Sequence, residues 1–258
     1  MKQCAIYLLA CIFIGNIVVT QDIEKSSNSI FPSANSVLDS LEQTYNRIED
    51  YYTRIDVSIK TPMLRMPRKR VDFWFKQPNL TKVETKGFAA IPKSGMISSP
   101  IDLFDNLSNI AVIGAEYYND KQVWILQGEL LSDSLMFKNV NKIEDTNKLT
   151  MKMWVDLNNW TLIKSETFMD IFKIVEISSK YKSFPDNVNL PIETKLLFNY
   201  RSDMMPQMGG FHGPNSPNAK SNEQDSTKVM SGSITMKYSK YKINKGIDDA
   251  FFEKQKSK

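Results

Sequence analysis

The stretch that decides the fold is YYTRIDVSIK, residues 51–60, in which two kinds of side chain alternate with a period of two. One alternating set consists of Tyr51, Thr53, Ile55, Val57 and Ile59, and the set between them is mostly polar. Successive side chains of a strand point to opposite faces of a sheet. The pattern therefore predicts a β-strand with one buried and one solvated face.

The same alternation recurs along most of the chain. It appears in RVDFWFKQP (70–78), LTKVETK (80–86), LTMKMWV (149–155), IFKIVEISSKY (171–181), PIETKLLFNY (191–200) and GSITMKYSKYKI (232–243). Turn residues mark hairpins at Asn119-Asp120 and at LNNW, residues 157–160. The pattern predicts about nine to eleven short strands joined mostly by turns. Such a mainly β chain favours an antiparallel meander, which must curl or close to hide its edges and its apolar face.

Two segments are predicted to be helical instead. PSANSVLDSLEQTYNRIEDYY, residues 32–52, places Val37, Leu38, Leu41, Tyr45 and Ile48 on one face. SSPIDLFDNLSNIAVIG, residues 98–114, has a capping serine and a proline at its start, and its apolar side would carry Ile101, Phe104, Leu107 and Ala111. Residues 201–228 are rich in Gly, Pro, Ser and Asn, and we expect a long mobile loop there.

The N-terminus indicates export. Lys2 precedes a mostly apolar run from Cys4 to Val19, and polar residues follow. Residues 1–20 are therefore predicted to be a signal peptide, residues 21–32 a flexible lead-in, and residues 33–258 one folded domain. LLAC, residues 8–11, resembles a bacterial lipobox in which Cys11 would carry lipid, but the apolar run before it is short. If both cysteines leave with the signal, the mature chain has no disulfide.

The sequence offers little support for catalysis, metal binding or nucleic-acid binding. His212 is the chain's one histidine and lies in the loop predicted at 201–228, without an obvious partner. The net charge of +4 is small, and no phosphate-binding glycine loop or nucleophile elbow is present. Acids such as Asp156 and Glu166 fall on polar strand faces. We expect a protein that is not an enzyme, has no cofactor and binds neither a metal nor nucleic acid.

Apolar residues occur where a loop would normally be polar. The stretch GFAAIP, residues 87–92, contains Phe88 and Ile91 next to Gly87. Together with the helix predicted at 98–114, this loop could form a lid over an apolar pocket. Candidate pocket residues are Phe73, Phe75, Phe88, Ile91, Ile101, Phe104, Leu107 and Trp124. The alternative, which composition alone leaves open, is that these residues simply fill a core.

A family resemblance favours the pocket. WFKQPNLTKVETKG (74–87), YYNDKQVW (117–124), MWVDLNNWTLIKSET (153–167) and YKSFPDNVNLPIETKLLF (181–198) resemble segments of the periplasmic lipoprotein carriers, the LolA-like and LolB-like proteins. The resemblance covers about residues 33–250. It implies an incomplete, strongly curved antiparallel barrel, with a helical lid over an apolar cavity that shelters acyl chains.

The resemblance also implies a working context. The partner would be a lipidated protein or lipid acyl chains in the periplasm, with an outer-membrane acceptor or an inner-membrane complex as a further partner, and we expect a monomer. The carriers have an arginine latch where this chain has Gln77, which lacks the charged fork of arginine. The alternative function is an envelope sensor or protein-interaction module on the same fold, which would bind a protein through its sheet edge or long loop.

Overall fold

The computed structural model describes residues 31–61, 67–85, 103–131, 148–201 and 229–253, all within the compact unit Phe31–Lys258. The described elements are α1 (Ala34–Tyr45), β1 (Asp50–Lys60), β2 (Lys69–Lys76), β3 (Leu80–Thr85), β4 (Leu107–Tyr118), β5 (Lys121–Leu130), β6 (Leu149–Asp156), β7 (Thr161–Met169), β8 (Phe172–Phe184), β9 (Val188–Arg201), β10 (Val229–Ile243) and α2 (Ala250–Glu253). The predicted signal peptide, most of the lead-in and nearly all of the predicted loop at 201–228 lie outside the described residues.

The strands form a ten-stranded antiparallel sheet in the order β3-β2-β1-β10-β9-β8-β7-β6-β5-β4. Strands that follow each other in sequence are neighbours in the sheet, with one exception between β3 and β4. These two strands form the opposite edges, so the barrel is not closed between them. Long twisted sheets curl, and the bulges in several of these pairings bend their strands further. The predicted fold, an incomplete antiparallel barrel with few helices, is confirmed.

The register aligns one row of side chains across most of the sheet. From β1 to β4 along this row, the directly paired residues are Ile59, Ile234, Leu196, Ile177, Ser165, Met153, Leu126 and Val112. Leu126 and Met153 pack in one cluster with Val37 and Leu41 of α1, so the row belongs to the face that α1 covers. We call this face the inner face. Ser165 is the one member of the row without an apolar side chain.

The two ends of the sheet differ in how their strands are connected. At one end, the turn end, the connections are the short segments 77–79, 119–120, 157–160 and 185–187. At the other end, the loop end, the longer connections 61–68, 86–106, 131–148 and 202–228 join the strands, beside the tight turn at Asp170-Ile171. Loops that carry function concentrate where a rigid scaffold presents them together. The longer connections therefore meet at one end of the sheet, the loop end.

Helix α1 lies across the inner face. The Ser33 hydroxyl accepts a hydrogen bond from the Ser36 N–H (3.2 Å) and caps its start. The helix contacts β4, β7 and β9. On β7 and β9 the inner-face residues include the small side chains Ser165 and Thr194, both buried, which allow a helix to approach closely. The predicted helix is confirmed but is shorter than expected, because it ends at Tyr45 and Asp50 already begins β1.

The prediction of a second helix over residues 98–114 is wrong from Leu107 onward, where β4 begins. Leu103 and Phe104 are helical, and residues 98–102 lie outside the described part. Register shifts between Ser108 and Ala111 and between Val112 and Gly114 interrupt the alternation expected of a strand. A bulge adds a residue and resets the side-chain alternation. The interrupted pattern therefore resembled a helical period, and Leu107 belongs to a strand and not to a lid helix.

The strand predicted at residues 80–86 is present as β3. The chain turns at 77–79 and β3 pairs back onto β2, with Phe73 opposite Val83. The Gln77-Pro78 peptide bond in this turn is cis. The pairing makes β3 an edge strand.

The C-terminal arm, residues 244–253, wraps around the beginning of β1. The buried Asp50 carboxylate accepts hydrogen bonds from the backbone N–H groups of Lys245 (2.9 Å), Gly246 (2.7 Å) and Ile247 (3.0 Å). On the other face of the sheet, Phe251 of α2 packs against the Trp74 ring with 5.3 Å between ring centres. The arm thus fixes the start of β1 and packs on this face of β2 and β3.

Candidate functional site

Two apolar clusters occupy the inner face. The β1–β2 cluster is formed by Ile48, Ile55, Val57, Val71, Phe73, Phe75, Val188, Leu190 and Met236. The β5–β6 cluster is formed by Val37, Leu41, Phe104, Leu107, Leu126, Met151, Met153 and Val155. Helix α1 reaches both, because Val37 and Leu41 belong to the second cluster and Tyr45 packs on the first.

The structure separates the predicted pocket residues into these two groups. Phe73 and Phe75 are 1% and 2% exposed, and the Tyr51 ring lies 5.8 and 5.3 Å from their ring centres. Phe104 and Leu107 are buried in the β5–β6 cluster, against which Trp124 packs while half-buried. Their participation in a ligand site stays a prediction. Phe88, Ile91 and Ile101 lie outside the described residues.

Gln77, expected at the place of the latch, lies in the turn between β2 and β3. Its backbone N–H donates to the Glu49 carbonyl at 2.8 Å, beyond the end of α1. Its side-chain Nε2 is buried without a hydrogen-bond partner. A buried amide donor without a partner is costly. The position therefore holds a polar group that could bind a carbonyl, but it has no charged fork.

Toward the loop end, the inner face carries apolar side chains that are only half-buried, two of which, Ile59 and Ile234, pack on the β1–β2 cluster. We call this group the inner strip, and it comprises Ile59, Val175, Ile177, Phe198 and Ile234. Gly232, directly opposite Phe198, leaves room for its ring, because a Cβ on Gly232 would lie 2.2 Å from the ring carbon Cζ. The sequence analysis did not assign these residues to a site, although all five fall in the alternating segments 51–60, 171–181, 191–200 and 232–243.

Four tyrosine side chains that remain neutral lie next to the inner strip, on its side toward the turn end. Burial raises the pKa values of Tyr51, Tyr181, Tyr238 and Tyr241, which we call the tyrosine cluster. The Tyr241 hydroxyl donates to the Pro191 carbonyl (2.6 Å) and the Tyr181 hydroxyl to the Leu162 carbonyl (3.1 Å). These phenols stay uncharged at physiological pH. Their neutrality suits the binding of an uncharged, apolar ligand beside them.

The ion pairs lie on the opposite, outer face. Glu166 contacts the ammonium groups of Lys164 (2.8 Å) and Lys173 (3.1 Å), and Lys173 also pairs with Glu176 (2.5 Å). Burial alone would raise the pKa of Glu166, but the two lysines outweigh it and hold that pKa below its ordinary value. The carboxylate is thus bound as a structural anion. It lacks the raised pKa expected of a general acid.

Asp156 is a second acid with a structural explanation. Its fully buried carboxylate forms an ion pair with Lys121 and accepts a hydrogen bond from the Asn158 N–H at 2.9 Å. Burial would raise the pKa of Asp156, but these contacts outweigh it and lower the pKa. The contacts tie the turn between β4 and β5 to the turn between β6 and β7. Both acids singled out in the sequence therefore stabilise the sheet.

Neither a metal site nor a membrane-spanning helix was found in the described ranges. Among those residues, no group of at least three His, Cys, Asp or Glu side chains could hold a metal ion. In the same part of the chain, no helix has the length and apolar content needed to cross a bilayer. His212 lies outside this part.

Comparison with known proteins gave similar structures but no sequence match. No family model matches the chain, and no curated protein matches it. Among solved structures, the chain is similar to a DUF1329 family protein from Desulfovibrio piger, with 11% identity, a TM-score of 0.48, and coverage of 84% of this chain and 96% of that one. It is also similar to an outer membrane lipoprotein-sorting protein domain from Vibrio parahaemolyticus (10% identity, TM-score 0.47, 85% and 97% covered). A LolA superfamily protein from Nitrosomonas europaea has 10% identity and a TM-score of 0.46, with 86% and 98% covered.

Proposed function

We propose that this protein is an exported, non-enzymatic carrier that shelters the acyl chains of lipids or lipidated proteins on the inner face of its sheet. The observation that carries the proposal is the inner strip. Its apolar side chains are half-buried although they lie on the face that α1 covers, toward the loop end of the sheet. A packed core would bury them, and a solvated face would not be apolar. A long apolar ligand would complete their burial.

The electrostatics of the two faces support an apolar ligand. Charged pairs such as Glu166 with Lys164 and Lys173 lie on the outer face, whereas neutral phenols border the inner strip. No covalent step is required, because burial of each methylene contributes about 0.8 kcal/mol. Eight methylenes would give roughly 6 kcal/mol before the cost of association is subtracted. Burial of a longer chain would bind more tightly, and because no covalent bond is formed the ligand can be released to an acceptor.

The proposed location is the periplasm, and the proposed partners are a lipidated protein and a membrane acceptor. The predicted signal peptide at residues 1–20 supports export. The chain's similarity in sequence motifs to lipoprotein carriers supports the ligand class. Intact mass of the protein purified from its own envelope would test export, with cleavage near Gln21 expected. An acylated Cys11 at the N-terminus would instead indicate a lipid-anchored protein.

A probe-displacement assay tests the binding itself. A fluorescent fatty acid should bind residues 21–258 at micromolar concentration and be displaced by a palmitoylated peptide. Replacing Ile177 by serine should weaken binding, because its half-exposed side chain would lose contact with the chain of the probe. The matched control is Leu197→Ser. Leu197 is a half-exposed apolar residue (43%) that pairs with Glu176 on the outer face, next to Phe198 in sequence.

The two variants separate ligand contact from general loss of apolar surface. Losing half the burial of one isoleucine would cost about 0.75–1.5 kcal/mol, roughly three- to twelvefold in affinity. Leu197→Ser should leave affinity unchanged. If the folded wild-type protein binds no probe, or if both variants weaken binding equally, the inner face is not the site.

A further inference from the structure

Some of the most exposed apolar side chains lie at the loop end of the sheet. Leu131 follows β5 and is 45% exposed, Val229 begins β10 and is 49% exposed, and Ile171 lies in the tight turn between β7 and β8 with 96% exposure. Single exposed apolar residues are common on folded proteins. Ile171 is a stronger case, because nearly its whole side chain is in contact with water and its neighbours in sequence are apolar too.

The turn that carries Ile171 is built mostly from apolar residues. Residues 168–172 read FMDIF, and we call them the apolar tip. Two-residue hairpin loops favour Asn, Asp and Gly. Asp170 meets this need with a φ of 54°, and its Oδ1 accepts a hydrogen bond from the Lys148 N–H at 3.3 Å. Ile171 buries almost no surface, so a contribution to the core does not explain its side chain.

The pairing between β7 and β8 places the apolar tip in line with the inner strip. Thr167 pairs with Val175 of the strip, and Met169 pairs with Phe172. The register shift between these two pairs inserts one extra residue into β8. Phe172 therefore lies on the same face as Val175, although three residues separate them in sequence. Through Phe172 the inner face stays apolar from the strip to the turn that carries Ile171.

The charges beside the apolar tip are compensated within the protein. The Lys148 ammonium pairs with the Glu129 carboxylate, and the Lys173 ammonium pairs with two carboxylates of the outer face. Asp170 is engaged with the backbone of Lys148. The tip therefore has no uncompensated cluster of one sign that would select an ionic partner, and its contact surface is apolar.

We infer that the apolar tip inserts into the surface of a lipid bilayer and thereby places the loop end of the inner strip against the membrane. The inference rests on the proposed function, because acyl chains are collected from a bilayer and the tip and the strip share strand β8. A hairpin tip is small and convex, whereas a specific protein interface buries about 800 Å² on each partner. A deformable bilayer surface, in which binding grows with buried apolar area, suits such a tip.

Flotation with neutral phosphatidylcholine vesicles tests the docking. Residues 21–258 should float with the vesicles at millimolar lipid. Ile171→Asp should lower the partition coefficient about tenfold or more, because the buried isoleucine is replaced by a charge. The matched control Leu197→Asp places the same charge at an exposed apolar residue of the outer face and should float like wild type. High salt should change flotation by less than about twofold, because the contact is apolar.

Transfer of an acylated probe separates docking from ligand binding. In solution, Ile171→Asp should bind the fluorescent fatty acid with wild-type affinity, because Ile171 lies outside the inner strip. A fluorescent dipalmitoylated peptide leaves vesicles slowly by itself, since two acyl chains anchor it. Its transfer from vesicles to Ile171→Asp should be about tenfold slower than its transfer to wild type. The Tm of this variant should stay within about 2 °C of wild type, because the position is exposed.

The outcomes distinguish this inference from the proposed function. If Ile171→Asp floats and accepts the probe like wild type, the docking assignment is wrong, while fatty-acid binding in solution still supports the proposed function. If wild type floats through Ile171 but binds no fatty acid in solution, the tip is a membrane contact and the proposed function fails. A wild-type protein that does not float and is dimeric, with Ile171→Asp monomeric, would assign the tip to a second copy and overturn docking.

Discussion

Replacing Asp50 by alanine should release the C-terminal arm from β1. Asp50 is 2% exposed and its carboxylate accepts hydrogen bonds from three successive backbone N–H groups, those of residues 245–247. Hydrogen bonds to a charged group contribute about 1.5–3 kcal/mol each. They will not add fully, because a released arm returns its N–H groups to water. We expect a loss of about 3–5 kcal/mol in the free energy of unfolding, less than the full sum of three such bonds.

Thermal melting and hydrogen exchange measure this loss. At about 2–4 °C per kcal/mol for a domain of this size, the Tm should fall by roughly 6–20 °C. The amides of residues 245–247 should lose protection before the rest of the sheet. Asp50→Asn, which keeps one acceptor oxygen, should give an intermediate loss. Asp39→Ala removes a carboxylate from an exposed position of α1 and should change the Tm by less than about 2 °C. A Tm for Asp50→Ala equal to that of the control would refute the role given to the carboxylate.

Three further predictions concern stability in acid, stability in alkali and the apolar loop GFAAIP at residues 87–92. The low pKa of Asp156 means that its pair with Lys121 stabilises the fold above the ordinary carboxyl pKa of about 3.9, and that this stability is lost as pH falls through the lower folded value. Urea unfolding measures this effect. Between neutral and acidic pH, the free energy of unfolding should fall less in Asp156→Asn than in wild type. An equal fall in both proteins would show that the Asp156–Lys121 pair does not cause the loss of stability in acid. The raised pKa values of the tyrosine cluster mean that the folded chain keeps protons that the unfolded chain loses above about pH 10. Stability should fall there, and an absorbance titration should show these phenols ionising together with unfolding; early ionisation in the folded state would contradict their burial. Replacing Phe88 and Ile91 by serine should weaken probe binding about tenfold to a hundredfold with a small change in Tm. A large fall in Tm with unchanged probe affinity would show instead that Phe88 and Ile91 belong to the packed core.

The fold was readable from the sequence because its signal is local and repeated. The alternation around Ile55 and Val57 reappears in strand after strand, and the short turns at Asn119-Asp120 and 157–160 lie where their residues predicted them. The prediction of secondary structure was wrong at β4, because two bulges within eight residues disrupt the period-two pattern there. A bulge changes side-chain direction through backbone geometry, which composition does not record.

The candidate site was harder to read than the fold. Phe73, Phe75 and Trp124 were chosen because they are large and apolar, but size does not distinguish a packed core from a ligand surface. The inner strip is defined by incomplete burial, which depends on where α1 ends and which strands it covers. Ile177 and Leu197 illustrate the difficulty, because both are aliphatic strand residues and only the register assigns them to opposite faces. That information arises from pairings between residues far apart in sequence.

Native mass spectrometry of the protein purified from its own envelope tests the central claim most directly. The mature chain should carry a bound mass equal to a lipid or a lipidated polypeptide, and Ile177→Ser should lower the occupied fraction while Leu197→Ser leaves it unchanged. A protein that is folded and free of lipid in every preparation, or that carries only an unlipidated polypeptide, would contradict the carrier function.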